Sequence, residues 1–283
     1  MRSVVLIILG HSSCYSVFLL ALTALVSVAL LLLTVGSGMA QSPPYLGSVS
    51  FKVLNANGTK LVGHSHYELT PAGDDLLIGH GDAHFQDGEY DVEYDTLKAR
   101  PGNAPAMLTL DHKFYNADGS MQREIAADFR TGEASCTRYK NGVAQVDRAK
   151  LDFTPDSYGG SAVVLPVERD LAHGITKPIK LQALNCIPKP RLISVKAYVR
   201  RPSRWSHYPG ETVEVDIKPT LGWLDAVVAP FLPELRAWFV PSDNWIFVGG
   251  KFSRYYRGPQ ITLVREHSPE IGKAQDHNKG GSG

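Results

Sequence analysis

The sequence predicts a mainly β fold, in which a curved antiparallel sheet, a half-barrel or open barrel, wraps over a central helix and follows an N-terminal hydrophobic leader or anchor helix. Three observations predict it. Segments of alternating apolar and polar residues follow one another from Leu46 onward, separated by turn residues. A central stretch, Thr154 to Gly174, is typical of a helix. An isolated helix as imperfect as this one would not hold in water, so it must pack against the strands.

The first forty residues contain an uncharged run from Val17 to Val35 that is long enough to cross a bilayer. Small residues follow at Gly38 and Ala40, the −3 and −1 positions of a signal-peptidase site. Residues 1–40 are therefore either a cleaved signal peptide or a retained membrane anchor. Both alternatives export the rest of the chain, to the periplasm or to the outer side of the cytoplasmic membrane.

The composition limits the possible domain organisation and partners of the exported part. Of 283 residues, 43% are apolar, which is ample for a core. We expect one β-rich domain over 41–268 and a disordered, polar and glycine-rich tail over 269–283. Among 29 basic and 28 acidic side chains, only Arg2 lies in the first forty residues, so the exported part is balanced in charge and nothing favours nucleic acid as a partner.

The strands are separated by clusters of glycine, proline, asparagine and aspartate. Asn141-Gly142 is the clearest of these breaks, because it is typical of a two-residue type I′ hairpin. The predicted strands lie near 46–56, 60–70, 75–85, 89–98, 107–116, 120–129, 133–140, 143–151, 177–187, 191–200, 211–218, 234–240, 244–254 and 259–266.

The central helix is predicted from its ends. Thr154 is placed as the N-cap, Pro155 stands in the first turn, and His173-Gly174 forms a common C-cap pair. Gly159-Gly160 and Pro166 weaken the helix and are expected to kink or interrupt it. A second, short helical candidate covers 221–229.

Alternation also assigns the strand faces. The segment 89–98 places aromatic side chains on one face and four carboxylates on the other, namely Glu89, Asp91, Glu93 and Asp95. In the hairpin 60–85 the apolar face also carries Gly63, Gly79 and Gly81. Glycine inside a strand indicates a bulge, a bend or the close approach of another group. We therefore expect a strongly curved sheet with room on its concave side.

Unfilled apolar space costs about 24 cal/mol per Å³, so a cavity between the sheet and the helix is expected to hold a ligand unless side chains close it. Since the leader places the protein beside a bilayer, acyl chains are the expected ligand. The residues predicted to line the cavity are Tyr67, Phe85, Tyr90, Tyr94, Leu110, Phe114, Val163 and Leu165.

Two clusters of basic and aromatic residues suit an anionic headgroup at the mouth of such a cavity or at a membrane surface. The arginines predicted to hold the headgroup at this rim are Arg200, Arg204, Arg254 and Arg257. The alternative is an ordinary solvated edge, on which Lys and Arg prevent pairing with other strands.

A histidine-rich hairpin is the best metal candidate. Its possible ligands are His64, His66, His80, Asp82 and His84, which share one strand face if the turn at 71–74 sets His66 opposite His80. The apolar residues of both strands have the opposite parity, so the alternative is a solvent-facing polar surface. The sequence contains no GxSxG, HExxH or CxxC motif and no phosphate-binding glycine loop, and no cofactor is predicted.

Without the leader, Cys136 and Cys186 remain, one on each side of the central helix. In an oxidising compartment this pair is a candidate disulfide. The alternative is two buried small side chains in separate strands.

Three stretches, 126–166, 222–239 and 242–266, resemble uncharacterised bacterial envelope proteins. They read AADFRTGEASCTRYKNGVAQVDRAKLDFTPDSYGGSAVVLP, GWLDAVVAPFLPELRAWF and SDNWIFVGGKFSRYYRGPQITLVRE. More distantly, a curved sheet over a helix in an exported protein is similar to the LolA/LolB-like half-barrels, which carry lipids or lipoprotein acyl chains across the periplasm. The closer resemblance implies no activity, and the distant one implies a lipid carrier.

Three functions follow as expectations. The first is a non-enzymatic envelope protein that binds a lipid or another hydrophobic ligand. The second is a metal-dependent envelope enzyme that uses the histidine-rich hairpin. The third is a structural or assembly factor whose concave face is filled by its own helix.

Overall fold

The computed structural model describes residues 46–175, 177–186, 188–220, 235–254 and 258–266. The leader, the helical candidate 221–229 and the tail lie outside these described residues. Within them, every helix is too short or too polar to cross a bilayer.

Fifteen strands form one sheet. In chain order they are β1 (Gly47–Asn55), β2 (Leu61–Pro71), β3 (Leu76–Phe85), β4 (Tyr90–Arg100), β5 (Asn103–Tyr115), β6 (Met121–Asp128), β7 (Glu133–Lys140), β8 (Val143–Lys150), β9 (Ser157–Tyr158), β10 (Ile179–Cys186), β11 (Pro190–Arg204), β12 (Glu211–Pro219), β13 (Leu235–Val240), β14 (Ile246–Ser253) and β15 (Gln260–Arg265). Between β9 and β10 lie a 3₁₀ turn (Gly160–Val164) and the helix α1 (Leu165–Ala172), and a second 3₁₀ turn (Pro241–Asp243) joins β13 to β14. The prediction of a mainly β fold is confirmed.

The sheet consists of two meanders that meet in its middle. Its strand order is β8-β7-β6-β5-β4-β3-β2-β1-β15-β14-β13-β12-β11-β10-β9. Neighbouring strands are antiparallel except β9 and β10, which are parallel. Because β1 pairs with β15, the two halves of the chain share one continuous hydrogen-bonded sheet whose edges are β8 and β9.

A disulfide between Cys136 and Cys186 joins the two ends of this sheet. Cys136 lies in β7 and Cys186 ends β10, with 5.8 Å between their Cα atoms. Strands β7 and β8 also contact β11. The sheet therefore curves far enough for its ends to meet, and the predicted bridge is confirmed.

Each predicted strand has a counterpart close to its expected position, although β5 and β11 are longer than predicted. The central helix is shorter than predicted, and the prediction of its N-terminus is wrong. Thr154 does not cap a helix, because Ser157 and Tyr158 form β9 and pair with Gln182 and Ala183 of β10. Pairing with the sheet satisfies backbone groups that a helix would otherwise have used.

Pro166 does not interrupt α1. It stands in the first turn of the helix, where a missing N–H costs nothing. The predicted C-cap is confirmed, since Gly174 adopts a φ of 70° and its N–H donates to the carbonyl of Leu171 at 2.9 Å.

One hydrophobic core occupies the side of the sheet that carries α1, which we call the concave face. It joins side chains from both meanders to α1 and β9, and fully buried examples are Leu69, Leu97, Tyr158 and Phe239. A smaller cluster on the convex face contains Trp205, Trp238, Val240 and Val248.

The face prediction for β4 is wrong. Glu93 and Asp95 are 2% and 1% exposed on the concave face, whereas Tyr94 is 51% exposed on the convex face. The reason is Leu97, which is fully buried and has the same strand parity as the two carboxylates. The end of the strand that lies in the core thus sets the orientation of the whole strand.

The disulfide is expected to stabilise the fold by about 2–4 kcal/mol, because it limits the unfolded chain and holds together two sheet ends. The double variant Cys136→Ala/Cys186→Ala and the reduced wild-type protein should both lose this amount of unfolding free energy in urea titrations. Oxidised wild-type protein is the control. Equal midpoints for oxidised and reduced protein would contradict the prediction.

Candidate functional site

Five ionisable side chains meet on the concave face of β2, β4 and β5, next to the 3₁₀ turn that precedes α1. We call them the buried polar cluster, and they are Tyr67, Asp91, Glu93, Asp95 and His112. The strand register explains why they meet, because it pairs Glu93 with His112 directly across β4 and β5. Alternation along β4 then places Asp91 and Asp95 on the same face as Glu93.

Tyr67 reaches this cluster across two glycines of β3. It is paired with Gly81, and a Cβ atom at Gly79 would lie 2.5 Å from its hydroxyl oxygen. The missing side chains leave room for the phenol ring to lie over β3, where its Oη donates to Asp95 Oδ2 at 3.1 Å. The glycines at these positions of β3 therefore allow the close approach of another group, which is one of the three roles predicted for glycine inside a strand.

His112 lies between two carboxyl groups. Its Nε2 is 3.1 Å from Asp91 Oδ1 and its Nδ1 is 3.1 Å from Glu93 Oε2. Burial lowers the pKa of His112, but the charges of Glu93 and Asp91 outweigh it and raise the pKa overall. A protonated imidazole can donate to both carboxyl groups at once.

Glu93 and Asp95 both have raised pKa values. Burial and the charge of Asp95 raise the pKa of Glu93 well above its ordinary value, and burial also raises the pKa of Asp95. Tyr67 donates to Asp95, and both carboxyl groups hold a proton more tightly than they would in solvent.

The cluster also fixes the 3₁₀ turn. The backbone N–H of Ser161 donates to Glu93 Oε1 at 2.7 Å. Gly160 precedes it with a φ of 55°, and a Cβ atom there would overlap the Glu93 carboxyl group. A second carboxyl group holds the helix itself, because Glu168 Oε1 accepts the N–H of Phe247 in β14 at 2.8 Å. Burial raises the pKa of Glu168 to about 7.

The structure separates the residues that the sequence predicted to line a cavity. Tyr67, Leu110, Phe114, Val163 and Leu165 lie on or against the concave face. Tyr90 and Tyr94 lie on the convex face, where Tyr90 stacks on Tyr115 with 4.5 Å between ring centroids and Tyr94 lies against His80. Their placement follows from the reversed faces of β4.

Phe85 and the arginines predicted at the mouth of the cavity contact different parts of the fold. The guanidinium carbon of Arg254 lies 3.3 Å from the centroid of the Phe85 ring, and Arg254 Nη1 is 2.8 Å from Glu89 Oε2. Arg200 is bound to Asp216 of β12, and Arg204 is exposed at the end of β11. Arg257 lies outside the described residues.

The histidines of the β2–β3 hairpin lie on the convex face. The predicted register is wrong by two residues, because β2 extends to Pro71, which pairs with Leu77. His66 is therefore opposite Asp82, with Nδ1 3.8 Å from Oδ1, and His64 is opposite His84. The side chains of His64 and His84 are 60% and 68% exposed. Within the described residues, no three His, Cys, Asp or Glu side chains are grouped so that they could hold a metal ion.

The sequence reasoning missed the buried polar cluster because it placed the carboxylates of β4 in solvent. A signal was present in Leu97, whose parity matches that of Glu93 and Asp95. For Glu168 there was no comparable signal, because its partner is a backbone N–H in a distant strand.

No family model matches the sequence, and no curated protein matches it either. Among solved structures, the fold is similar to a β-barrel-like protein of the domain of unknown function DUF1849 from Brucella abortus, with a TM-score of 0.46, 11% identity, and coverage of 77% of this chain and 95% of that one. It is also similar to a DUF1089 family protein from Pseudomonas aeruginosa, with a TM-score of 0.34, 12% identity, and coverage of 65% and 87%. Neither similarity identifies a function, and the resemblance to LolA/LolB-like half-barrels stays a prediction.

We expect stability to fall as pH rises through the acidic range. The pKa of Glu168 is about 7 in the folded protein against an ordinary 4.5, so the folded state retains a proton that the unfolded chain releases between these values. Glu168→Gln keeps an oxygen for the Phe247 N–H but does not titrate. The loss of unfolding free energy between pH 4.5 and 7, measured in urea, should therefore be smaller in this variant by about 3 kcal/mol. The exposed Glu133→Gln is the control, and parallel pH profiles for wild type and Glu168→Gln would refute the assignment.

Gly160→Ala should destabilise the protein more than Gly142→Ala. Both glycines have a positive φ, but a Cβ atom at Gly142 meets nothing within 4 Å, whereas one at Gly160 meets the Glu93 carboxyl group. The extra loss should be about 1–3 kcal/mol, the usual cost of overpacking, in urea unfolding. Equal losses in the two variants would show that the contact with Glu93 has no energetic weight.

Proposed function

We propose that this chain is a non-enzymatic exported protein that binds a lipid or another hydrophobic ligand on the concave side of its curved sheet. The observation that carries the proposal is the composition of that face. It is apolar across both meanders and carries a few convergent polar groups, the buried polar cluster. Sites for small hydrophobic molecules have this composition.

The segment from Tyr158 to Leu171 occupies the place that such a ligand would take. It fills the concave face with Tyr158, Leu165 and Leu171, each at most 3% exposed. Except for Tyr158 in the edge strand β9, it lies outside the meanders, so a ligand can replace its apolar contacts without breaking the main strand pairings.

Side-chain hydrogen bonds hold this segment at several points. Besides the bonds to Glu93 and Glu168, Tyr158 Oη donates to the carbonyl of Pro105 at 3.1 Å and accepts from Arg100 at 3.5 Å. The N–H of Gly159 points to Met107 Sδ at 2.9 Å, and Arg169 Nη1 donates to Asn103 Oδ1 at 2.9 Å. On displacement, Tyr67 and His112 would face the polar end of the ligand.

The proposed location is the periplasm or the outer side of the cytoplasmic membrane, with the membrane surface as the source of ligand. Two features support it. The N-terminal run of uncharged residues is long enough for a leader or an anchor. The disulfide Cys136–Cys186 is typical of an oxidising compartment.

A structural or assembly factor is the second candidate function. It is favoured by the tight burial of α1, in which Val167 and Leu171 are 1% and 2% exposed. In that case the concave face is a core and has no other occupant. Metal-dependent catalysis by the histidine-rich hairpin has less support, because its histidines lie on the convex face and are exposed.

Ligand binding is tested with protein purified from its native compartment without detergent. We expect lipid in organic extracts by mass spectrometry and saturable binding of a fluorescent fatty acid. Leu171→Ala should tighten probe binding several-fold, because it removes contacts that compete with the ligand. Val248→Ala, a buried change in the convex cluster, should leave probe binding unchanged. Absence of lipid and of probe binding in all three proteins would leave the structural factor as the function.

A further inference from the structure

The convex face carries a second feature, built by the loop that follows β11. This loop folds back over β13 and β14, so that Trp205 stacks on Trp238 with 4.5 Å between ring centroids and an interplanar angle of 3°. The stack fits because Gly249 has no side chain, since a Cβ atom there would overlap the Trp205 ring. Both indoles are nearly buried, at 9% and 6% exposure.

Beside this stack lies a cavity of about 170 Å³. The turn between β1 and β2 borders it at residues 56–58, and His207 closes against Gly58. Its other lining residues are Trp205, Arg236, Trp238, Lys251 and Thr262. The volume resembles that of an engineered cavity of about 150 Å³ that binds benzene, so there is room for more than a single small ion.

The strand register aligns the polar groups of the cavity. Arg236 of β13 pairs with Lys251 of β14, and Lys251 pairs with Thr262 of β15. The three side chains therefore form one row across neighbouring strands on the convex face, and His207 lies on the same cavity. A guanidinium, an ammonium, a hydroxyl and an imidazole are the side chains that proteins use to bind phosphate oxygens.

Carboxylates of the neighbouring strand β12 orient the cations beside this cavity. Arg236 Nη1 is 3.0 Å from Glu214 Oε1 and its Nε is 3.8 Å from Asp216 Oδ1, so these two β12 carboxylates orient the guanidinium. Asp216 is also bound by Arg200 and approached by Lys218. No acidic residue is among the described residues that line the cavity.

We propose that this cavity binds a phosphate-bearing small molecule, in which Arg236, Lys251 and His207 hold the phosphate oxygens and the tryptophan stack contacts the organic part. The phosphate group is either part of a soluble phosphomonoester or the headgroup of a phospholipid. The site is on the opposite face of the sheet from the concave ligand site, and it does not depend on the function proposed above.

The test uses calorimetry with glycerol phosphate and flotation with phosphatidylglycerol vesicles, with phosphatidylcholine vesicles as a comparison. Saturable binding of glycerol phosphate identifies a soluble ligand. Binding of phosphatidylglycerol vesicles alone identifies a headgroup site. In either case Lys251→Gln and His207→Gln should weaken binding about tenfold, the effect of losing one charged hydrogen bond of about 1.4 kcal/mol.

Lys218→Gln is the matched control, because Lys218 is 59% exposed on the neighbouring strand and does not line the cavity. It should change binding less than twofold. Circular dichroism and urea unfolding of each variant establish that it is folded. The proposal is overturned if neither probe binds, or if all three variants weaken binding equally, since equal losses indicate attraction to a generally basic surface.

Discussion

The burial of carboxyl groups on the concave face is the constraint on which the rest of this structure depends. An ionised carboxylate costs several kcal/mol to bury unless it is paired and hydrogen-bonded. Burial raises the pKa of Glu93 and Asp95, so that both groups resist ionisation, and His112 and Tyr67 lie against them. Glu93 then has an oxygen that accepts from Ser161, and this bond locates the segment that leads into α1. The polar residues of the core thus position its only α-helix among the described residues.

The two faces of the sheet use glycine in the same way for different purposes. On the concave face, Gly79 and Gly81 leave room for the Tyr67 ring to reach the next strand. On the convex face, Gly249 leaves room for Trp205 to stack on Trp238. In each case the missing side chain lets an aromatic ring cover a strand, because the ring is too large to fit over an ordinary residue. The result is one polar group placed in an apolar interior and one cavity placed on an outer surface.

The closure of the sheet affects both of these regions. Strands β1 and β15 join the two meanders through hydrogen bonds, whereas the far ends of the sheet are joined by the disulfide. A sheet so constrained would keep its curvature if the segment on its concave side exchanged contacts with the proposed ligand. The convex cavity lies near the β1–β15 pairing, where the meanders are continuous, and its row of cations is fixed by strand register. The proposed hydrophobic site therefore depends on an exchangeable segment, and the proposed phosphate site depends on a rigid part of the sheet.

The sequence by itself determined the strands, their turns and the C-cap at Gly174, and it indicated Cys136 and Cys186 as a candidate disulfide. These features depend on local alternation, on turn residues or on an even cysteine count, all of which are visible within a short window. Tertiary structure alone decided that Glu93 and Asp95 face the core, that residues 157–158 join the sheet, and that Arg236, Lys251 and Thr262 form a row. Each of these depends on contacts between residues far apart in the chain. In β4 the alternating pattern fits both faces equally well until Leu97 is packed, because a strand exposes its two faces with the same period and only packing distinguishes them.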